Sequence, residues 1–226
     1  MAGKEHGLGV QETRLTPDLL LRAYAAGVFP MSEGRDDPKV FWVDPNHRGI
    51  LPLDGFHLSR SLRRTILRKP FDLSLDMAFE DVVRGCADRD ETWINDTIFR
   101  GYFALHRLGH AHSIEAWEGD ELVGGVYGVS LGRAFFGESM FSTRTDASKV
   151  ALATLVAHLR ATGYRLFDTQ FLTDHLVRLG ADEVSRARYH QLLDAALEGG
   201  NAEILSRPLP DAQSVVQLLT QTSNRE

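Results

Sequence analysis

The sequence contains a single cysteine, Cys86, among its 226 residues. One thiol forms neither an internal disulfide nor a thiolate metal cluster, and such scarcity is typical of the reducing cytoplasm. No apolar run approaches the roughly 18 residues of a membrane-spanning helix, and the polar opening MAGKEHGLGVQETR does not resemble a signal peptide. The sequence therefore predicts a cytoplasmic protein with no membrane partner.

Several chemical motifs are also missing. The glycine-rich segment LVGGVYGVSLG, residues 122–132, contains neither GxxxxGK[ST] nor GxGxxG, so it is not a phosphate loop. Ser139 lies in GESMF, where Phe141 breaks the G-x-S-x-G pattern of a serine nucleophile. Three histidines occur in HRLGHAH, residues 106–112, but HExxH is absent, and we expect them to cap a helix and lie at the surface. We predict no metal and no cofactor.

The charge balance leaves room for one basic surface. The formal net charge is −6, which argues against general coating of nucleic acid but not against a local basic patch. In HLSRSLRRTILRK, the residues Arg60, Arg64 and Arg68 recur at helical spacing and share one face. From spacing alone, this face is either an ordinary solvated surface or a set of phosphate contacts.

The order of predicted elements indicates the fold class. LTPDLLLRAYAAG is typical of a helix, and a small N-terminal domain of loops and short strands follows it, so we place domains at residues 1–56 and 57–226, with residues 1–14 as a loose arm. Residues 112–141 have the spacing of an antiparallel meander. A helix that Asp146 caps, a strand that contains Asp168, and a closing helix follow. This order predicts an α/β (α+β) fold in which helices pack on a mixed sheet.

Two carboxylates occur in apolar, strand-like segments. Glu138 lies in FFGESMFS and Asp168 in YRLFDTQ, and buried carboxylates are costly unless they are paired. Each of them either forms a structural pair with Arg or Lys, or binds a cationic substrate or accepts a proton from an amine. Trp42 and Trp93 lie beside turn residues and are either core rings or stacking platforms for a base. The glycines near residue 124 indicate close backbone approach or room for a ligand.

Taken together, these segments resemble the bacterial leucyl/phenylalanyl-tRNA–protein transferases. The matching stretches run in family order over nearly the whole chain, and GESMFS followed by DTQ and DH is the most specific combination. The other matching stretches include FWVDPNHRGILPL, FHLSRSLRRTI, TWIN, DASKVAL and FDTQFLTDHLVRLGA.

The resemblance implies both an activity and a fold. It implies transfer of Leu or Phe, less often Met, from aminoacyl-tRNA to the α-amino group of proteins that begin with Arg or Lys, which creates a degradation signal. It also implies an acetyltransferase-like (GNAT-like) catalytic domain behind a small N-terminal domain, without metal or coenzyme. We expect a monomer.

The resemblance also implies roles for individual residues. Asp168 with Gln170 would orient or deprotonate the acceptor amine, and Glu138 would hold the cationic N-terminal residue of the acceptor. Arg60, Arg64 and Arg68 would contact the tRNA backbone. The aminoacyl-adenosine site would comprise Trp93, Tyr102, Trp42, Val126, Phe135, Gly124, Gly125 and Ser139.

Two departures from the family pattern concern this site. Many members have Trp-Trp where this chain has Trp42-Val43, and a Met where it has Val126. An acetyl-CoA-dependent N-acetyltransferase of the same fold is the alternative activity, although the nearest string to its pyrophosphate loop, RATGYR, ends in Arg and closes a helix. A non-catalytic module that binds RNA or peptide is the third interpretation.

Overall fold

The computed structural model describes residues 15–221, so the predicted loose arm, residues 1–14, lies outside the described residues. The first helix, α1, spans Pro17–Ala25. Thr16 caps it by accepting a hydrogen bond from a main-chain N–H in the first turn, and proline occupies the first helical position, as the sequence predicts. Gly27 follows the helix with a φ of 77°, a conformation that glycine adopts without strain.

A seven-stranded mixed sheet forms the centre of the molecule. Its order is β4-β5-β6-β7-β8-β3-β9, and every neighbouring pair is antiparallel except β7 and β8. A separate antiparallel pair is formed by β1 and β2. The strands are β1 (Phe29–Met31), β2 (Phe41–Val43), β3 (His47–Ile50), β4 (Asp72–Leu75), β5 (Ala111–Glu118), β6 (Glu121–Leu131), β7 (Ala134–Ser142), β8 (Leu166–Gln170) and β9 (Asp182–Ser185).

Helices cover both faces of this sheet. They are α2 (Arg60–Arg68), α3 (Phe79–Ala87), α4 (Asp96–Arg107), α5 (Ala147–Ala161), α6 (Asp174–Val177), α7 (Arg186–Glu198) and α8 (Ala212–Thr220). The predicted α/β fold class, the meander and the helices that follow it are confirmed. Within residues 15–221, no helix has the length and apolarity needed to cross a bilayer.

The sheet separates two apolar cores. Phe135 packs with α2, α5 and α8 on one face, whereas its neighbour Phe136 packs with α1, α3, α4 and α7 on the other. This alternation follows from the two-residue repeat of a strand. Helix α5 is buried along nearly its whole length, which its continuous run of Ala, Leu and Val explains.

Two details differ from the sequence prediction. Strand β3 precedes the predicted domain border at residue 56, yet it pairs with β8 and β9 in the main sheet. The division into residues 1–56 and 57–226 stays a prediction. Asp146 occupies the N-cap position of α5 but does not cap it, because its carboxylate instead accepts from Lys149 and Thr65.

Candidate active site

A cavity of about 740 Å³ opens where β7 and β8 separate. Their parallel pairing ends at Phe136 and Asp168, while β8 pairs with β3 along its other edge. The strand residues after the separation, which include Glu138, Ser139 and Gln170, therefore line the cavity rather than a sheet interior. Its apolar wall is formed by Phe29, Val126, Met140, Leu152 and Phe167, among others.

The polar floor of the cavity is built around Glu138. Its carboxylate accepts hydrogen bonds from the hydroxyl of Tyr24 at 2.7 Å and from that of Tyr102 at 2.6 Å. Both tyrosines are fully buried, and their hydroxyls also contact each other at 2.9 Å. The side-chain Nε2 of Gln170 donates to the same carboxylate at 3.0 Å. Three neutral donors thus hold Glu138 at the cavity without a direct cationic partner among the described residues.

This environment moves the titration of Glu138 toward neutrality. Burial raises its pKa to about 7, although the hydroxyls of Tyr102 and Tyr24 act in the opposite direction. The nearby charge of Asp168 raises the pKa further, and that of Arg48 lowers it. A carboxylate with a pKa near 7 can both accept a proton and hold a cation near neutral pH.

Asp168 lies behind this floor and does not line the cavity. Its carboxylate is fully buried and receives two bonds from Arg48, at 2.9 Å from Nε and 2.6 Å from Nη2. The hydroxyl of Tyr189 donates to it at 2.7 Å. Of the two interpretations that the sequence left open for this carboxylate, a pair with a basic residue is the observed one.

Arg48 is held as firmly as its partner. Its guanidinium lies 4.4 Å from the ring centroid of Phe29 and 4.4 Å from that of Tyr189, and it donates to the carbonyl of Gly27. Burial alone lowers the pKa of Arg48, but the charge of Asp168 raises it overall. Through these hydrogen bonds, Arg48 connects β3 and the segment after α1 to strand β8.

Gln170 has a strained backbone that this pair supports. Its φ is 56°, in the left-handed region that side chains other than glycine rarely adopt. The main-chain N–H of Gln170 donates to Asp168 Oδ1 at 2.8 Å. Such strain typically costs about 1–3 kcal/mol and is retained where the surroundings enforce it. The result is that the side-chain amide points toward Glu138 and the cavity.

The residues predicted for aminoacyl-adenosine divide into three groups. Three of them line the cavity, namely Trp93, Val126 and Ser139. Tyr102 is one layer beneath, under Glu138. The other four are not part of the cavity lining: Trp42, which is exposed on β2, the buried Phe135, and the glycines Gly124 and Gly125.

Close packing, rather than a place in the cavity, explains Gly124 and Gly125. A Cβ added at Gly124 would lie 2.7 Å from the Cβ of Ala147, and one added at Gly125 would lie 2.9 Å from a methyl group of Val82. Of the two explanations for this cluster, close approach is the observed one, because β6 lies against α5 on one face and α3 on the other.

The predicted basic face is present on α2. Arg60, Arg64 and Arg68 are all exposed, while Leu62 and Ile66 of the same helix are buried. None of the three arginines forms an ion pair with any residue in the range 15–221. They therefore present uncompensated positive charge to solvent.

Sequence reasoning did not identify Arg48, Tyr24 or Tyr189. Their only signal was indirect: a carboxylate in an apolar strand needs a partner, but nothing in the sequence indicates which basic residue supplies it. The pairing depends on β3 lying beside β8, a contact between segments 120 residues apart.

Comparison with known proteins agrees with this architecture. The family model described as leucyl/phenylalanyl-tRNA protein transferase matches residues 50–194, and the model of that family's N-terminal domain matches residues 13–46. A leucyl/phenylalanyl-tRNA–protein transferase of Cereibacter sphaeroides is 64% identical over 209 residues, which cover 92% of this chain and 98% of the relative. One from Roseobacter denitrificans is 61% identical over 210 residues, 93% of this chain and 100% of the relative.

Among solved structures, the crystal structure of FemX aligns with a TM-score of 0.50 at 14% identity and covers 77% of this chain and 70% of that one. At this identity the likeness concerns the fold alone, and it agrees with the predicted acetyltransferase-like class.

The fold is acyltransferase-like, and the cavity at the separation of β7 and β8 is its candidate active site. The chain belongs to the leucyl/phenylalanyl-tRNA protein transferase family. It is an aminoacyltransferase that moves Leu or Phe from aminoacyl-tRNA to a protein N-terminus, as the sequence predicts. The acetyl-CoA-dependent alternative is not favoured.

Proposed function

We propose that Glu138 and Gln170 together receive the acceptor's N-terminal residue, and that acceptors begin with Arg or Lys. The observation that carries this proposal is the position of Glu138, which lines the cavity with three neutral donors and no direct cationic partner among residues 15–221. A carboxylate in this state gains from an incoming cation. A neutral side chain offers it nothing, so the site discriminates against other N-termini.

The donor occupies the apolar part of the same cavity. The Leu or Phe side chain lies among Val126, Met140 and Phe167, and the adenosine ring stacks on Trp93 at the cavity wall. Stacking of one base on an aromatic ring contributes about 1–3 kcal/mol. Holding the aminoacyl ester and the amine together accounts for most of the acceleration, because proximity alone supplies roughly 7–11 kcal/mol.

The chemical step is aminolysis of the ester. The acceptor nitrogen attacks the carbonyl carbon, the new C–N bond forms, and the C–O bond to the ribose breaks. One amine proton must leave and the ribose oxygen must gain one. Gln170 Oε1 accepts a hydrogen bond from the attacking amine, and the proton that the amine releases passes to the ribose oxygen as the C–O bond breaks.

Asp168 has a positioning role in this scheme. Both of its oxygens are occupied by Arg48, Tyr189 and the main chain of Gln170, so it acts on the amine through Gln170. Its contribution is to hold that residue in its strained conformation.

We also propose that the protein is a cytoplasmic monomer, in which residues 1–56 and 57–226 form the two domains.

The test is transfer of labelled leucine from Leu-tRNA to two peptides that differ only in an N-terminal Arg or Ala. We expect incorporation on the Arg peptide alone, and its loss in Glu138→Gln, which preserves shape but removes charge. Glu118→Gln, at an exposed glutamate on β5, is the matched control and should retain full activity. Equal transfer to both peptides would overturn the proposed selection, and acetylation on addition of acetyl-CoA would overturn the donor assignment.

A further inference from the structure

A second cavity, of about 600 Å³, adjoins the active-site cavity. The two share His175 as a lining residue, and Ser148 of the first is the chain neighbour of Lys149 in the second. All of its lining residues come from three of the family-matching stretches, FHLSRSLRRTI, DASKVAL and FDTQFLTDHLVRLGA. The chemistry assigned so far to the active-site cavity uses none of the side chains that line only this second cavity.

The second cavity is cationic. Lys149 and Arg178 line it together with the imidazoles of His57 and His175, and Asp146 is its single carboxylate. Arg178 is exposed and forms no ion pair with any residue that the structure describes, whereas Lys149 pairs with Asp146 at 2.7 Å. Burial lowers the pKa of His175, and the charges of Lys149 and Arg178 lower it further. Since Asp146 balances Lys149, the net positive charge of the lining comes from Arg178.

The position of this cavity suggests which anion it takes. It is lined on one side by the first turn of α2, whose exposed face presents Arg60, Arg64 and Arg68, and on the other it meets the active-site cavity. A strand that runs from the basic face to the aminoacyl ester would pass through it. The family donor is an aminoacyl-tRNA, whose terminal nucleotides form a single strand with one phosphate at each step.

We propose that this cavity binds the phosphodiester groups of the last nucleotides of the donor tRNA, with Lys149 and Arg178 as the phosphate ligands. The proposal rests on the aminoacyl-tRNA activity of the family and adds a separate subsite to it. Lys149 exchanges its bond to Asp146 for one to phosphate, so Asp146 competes with the ligand. The active-site cavity then receives only the terminal adenosine and its amino acid.

The test uses two stable probes that differ in phosphate content. One is adenosine that carries leucine through a 3′-amide, and the other is the same group at the end of the trinucleotide CpCpA. We expect Lys149→Gln and Arg178→Gln to weaken binding of the trinucleotide probe about fivefold to tenfold each, with less than twofold change for the adenosine probe. Each should also make the slope of log K against log[salt] shallower, by about 0.7 for every phosphate that the variant no longer neutralises.

Asp146→Asn should have the opposite effect on binding, because it removes a negative charge. Asp146 has a φ of 67°, which Asn tolerates, and its side chain does not cap α5, so the fold should be retained. This variant should bind the trinucleotide probe more tightly, by about twofold to fivefold. Arg100→Gln is the control for Lys149→Gln and Arg178→Gln, because it removes a positive charge from α4 on the other face of the sheet. It should change the binding of neither probe.

Three results would overturn the proposal. Unchanged trinucleotide binding in Lys149→Gln and Arg178→Gln would exclude a phosphate subsite. An equal loss for both probes would place the effect in the active-site cavity. A loss seen only with full-length Leu-tRNA would assign these residues to the stem rather than to the terminal strand. Failure of the adenosine probe to bind even the unsubstituted protein would instead contradict the donor assignment itself.

Discussion

Replacing Glu138 with glutamine should change how the stability of the protein depends on pH. Burial raises the pKa of this carboxyl from 4.5 to about 7, so the folded state binds its proton more tightly than the unfolded state does. The stabilisation from the protonated form is complete below about pH 4.5 and is lost as pH rises through about 7. A shift of this size corresponds to up to about 3 kcal/mol, since one pKa unit equals 1.36 kcal/mol.

Glutamine at this position is neutral at every pH and keeps the shape of the side chain. Its oxygen can accept from Tyr102 or Tyr24, and its amide can donate to the other hydroxyl once that hydroxyl reverses direction. The variant therefore lacks the loss of stability that ionisation of the buried Glu138 causes as pH rises. We expect the free energy of unfolding of the variant, relative to that of the unsubstituted protein, to rise by up to about 3 kcal/mol between pH 4.5 and pH 8.

The assay is urea unfolding of both proteins at a series of pH values from 4.5 to 8.5. Other groups, including the buried Glu115 whose pKa burial also raises, are common to both proteins and cancel in the difference. Glu118→Gln, which replaces an exposed glutamate in the same way, is the matched control. A Glu138→Gln difference constant to within about 0.5 kcal/mol would refute the reasoning, because it would mean that Glu138 titrates normally in the folded protein.

Three further predictions concern the same site. Arg48→Met should destabilise the fold by about 3–5 kcal/mol in urea unfolding, because it leaves a buried carboxylate unpaired, whereas Arg48→Met with Asp168→Asn should recover much of this loss; additive losses would contradict the pairing. Gln170→Gly should relieve the left-handed strain and leave the protein at least as stable, yet lower kcat for transfer about a hundredfold, with Gln170→Asn intermediate; an unchanged kcat would exclude a role for this amide. Val126→Met narrows the apolar pocket and should shift the ratio of kcat/KM toward Leu-tRNA over Phe-tRNA severalfold; an unchanged ratio would place the side-chain pocket elsewhere.

The sequence was most informative where local patterns decide the structure. The meander at residues 112–141 follows from alternation and turn residues, and α2 follows from the helical spacing of Arg60, Arg64 and Arg68. The separation of β7 and β8 has no such local signal, because it depends on where the pairing between two strands on either side of α5 ends. Phe135 and Gly124, which were predicted for the site, are not part of the cavity lining.

The two carboxylates near the cavity show how one sequence signal can produce two physical outcomes. Each lies in an apolar strand, and nothing in the neighbouring residues distinguishes them. Arg48 forms an ion pair with Asp168, which is fully buried behind the site and is not exposed to substrate. Glu138 receives hydrogen bonds only from neutral donors and lines the cavity, and burial raises its pKa to about 7.

The buried pair of Arg48 and Asp168 also affects Glu138, the carboxylate that lines the cavity. The charge of Asp168 raises the pKa of Glu138 and the charge of Arg48 lowers it, so the two act in opposite directions. If Arg48 were absent, the remaining negative charge would drive Glu138 further toward its protonated form and reduce its affinity for a cationic N-terminus. The buried pair therefore sets two properties of the site at once: the strained geometry of Gln170 and the fraction of Glu138 that is ionised at neutral pH.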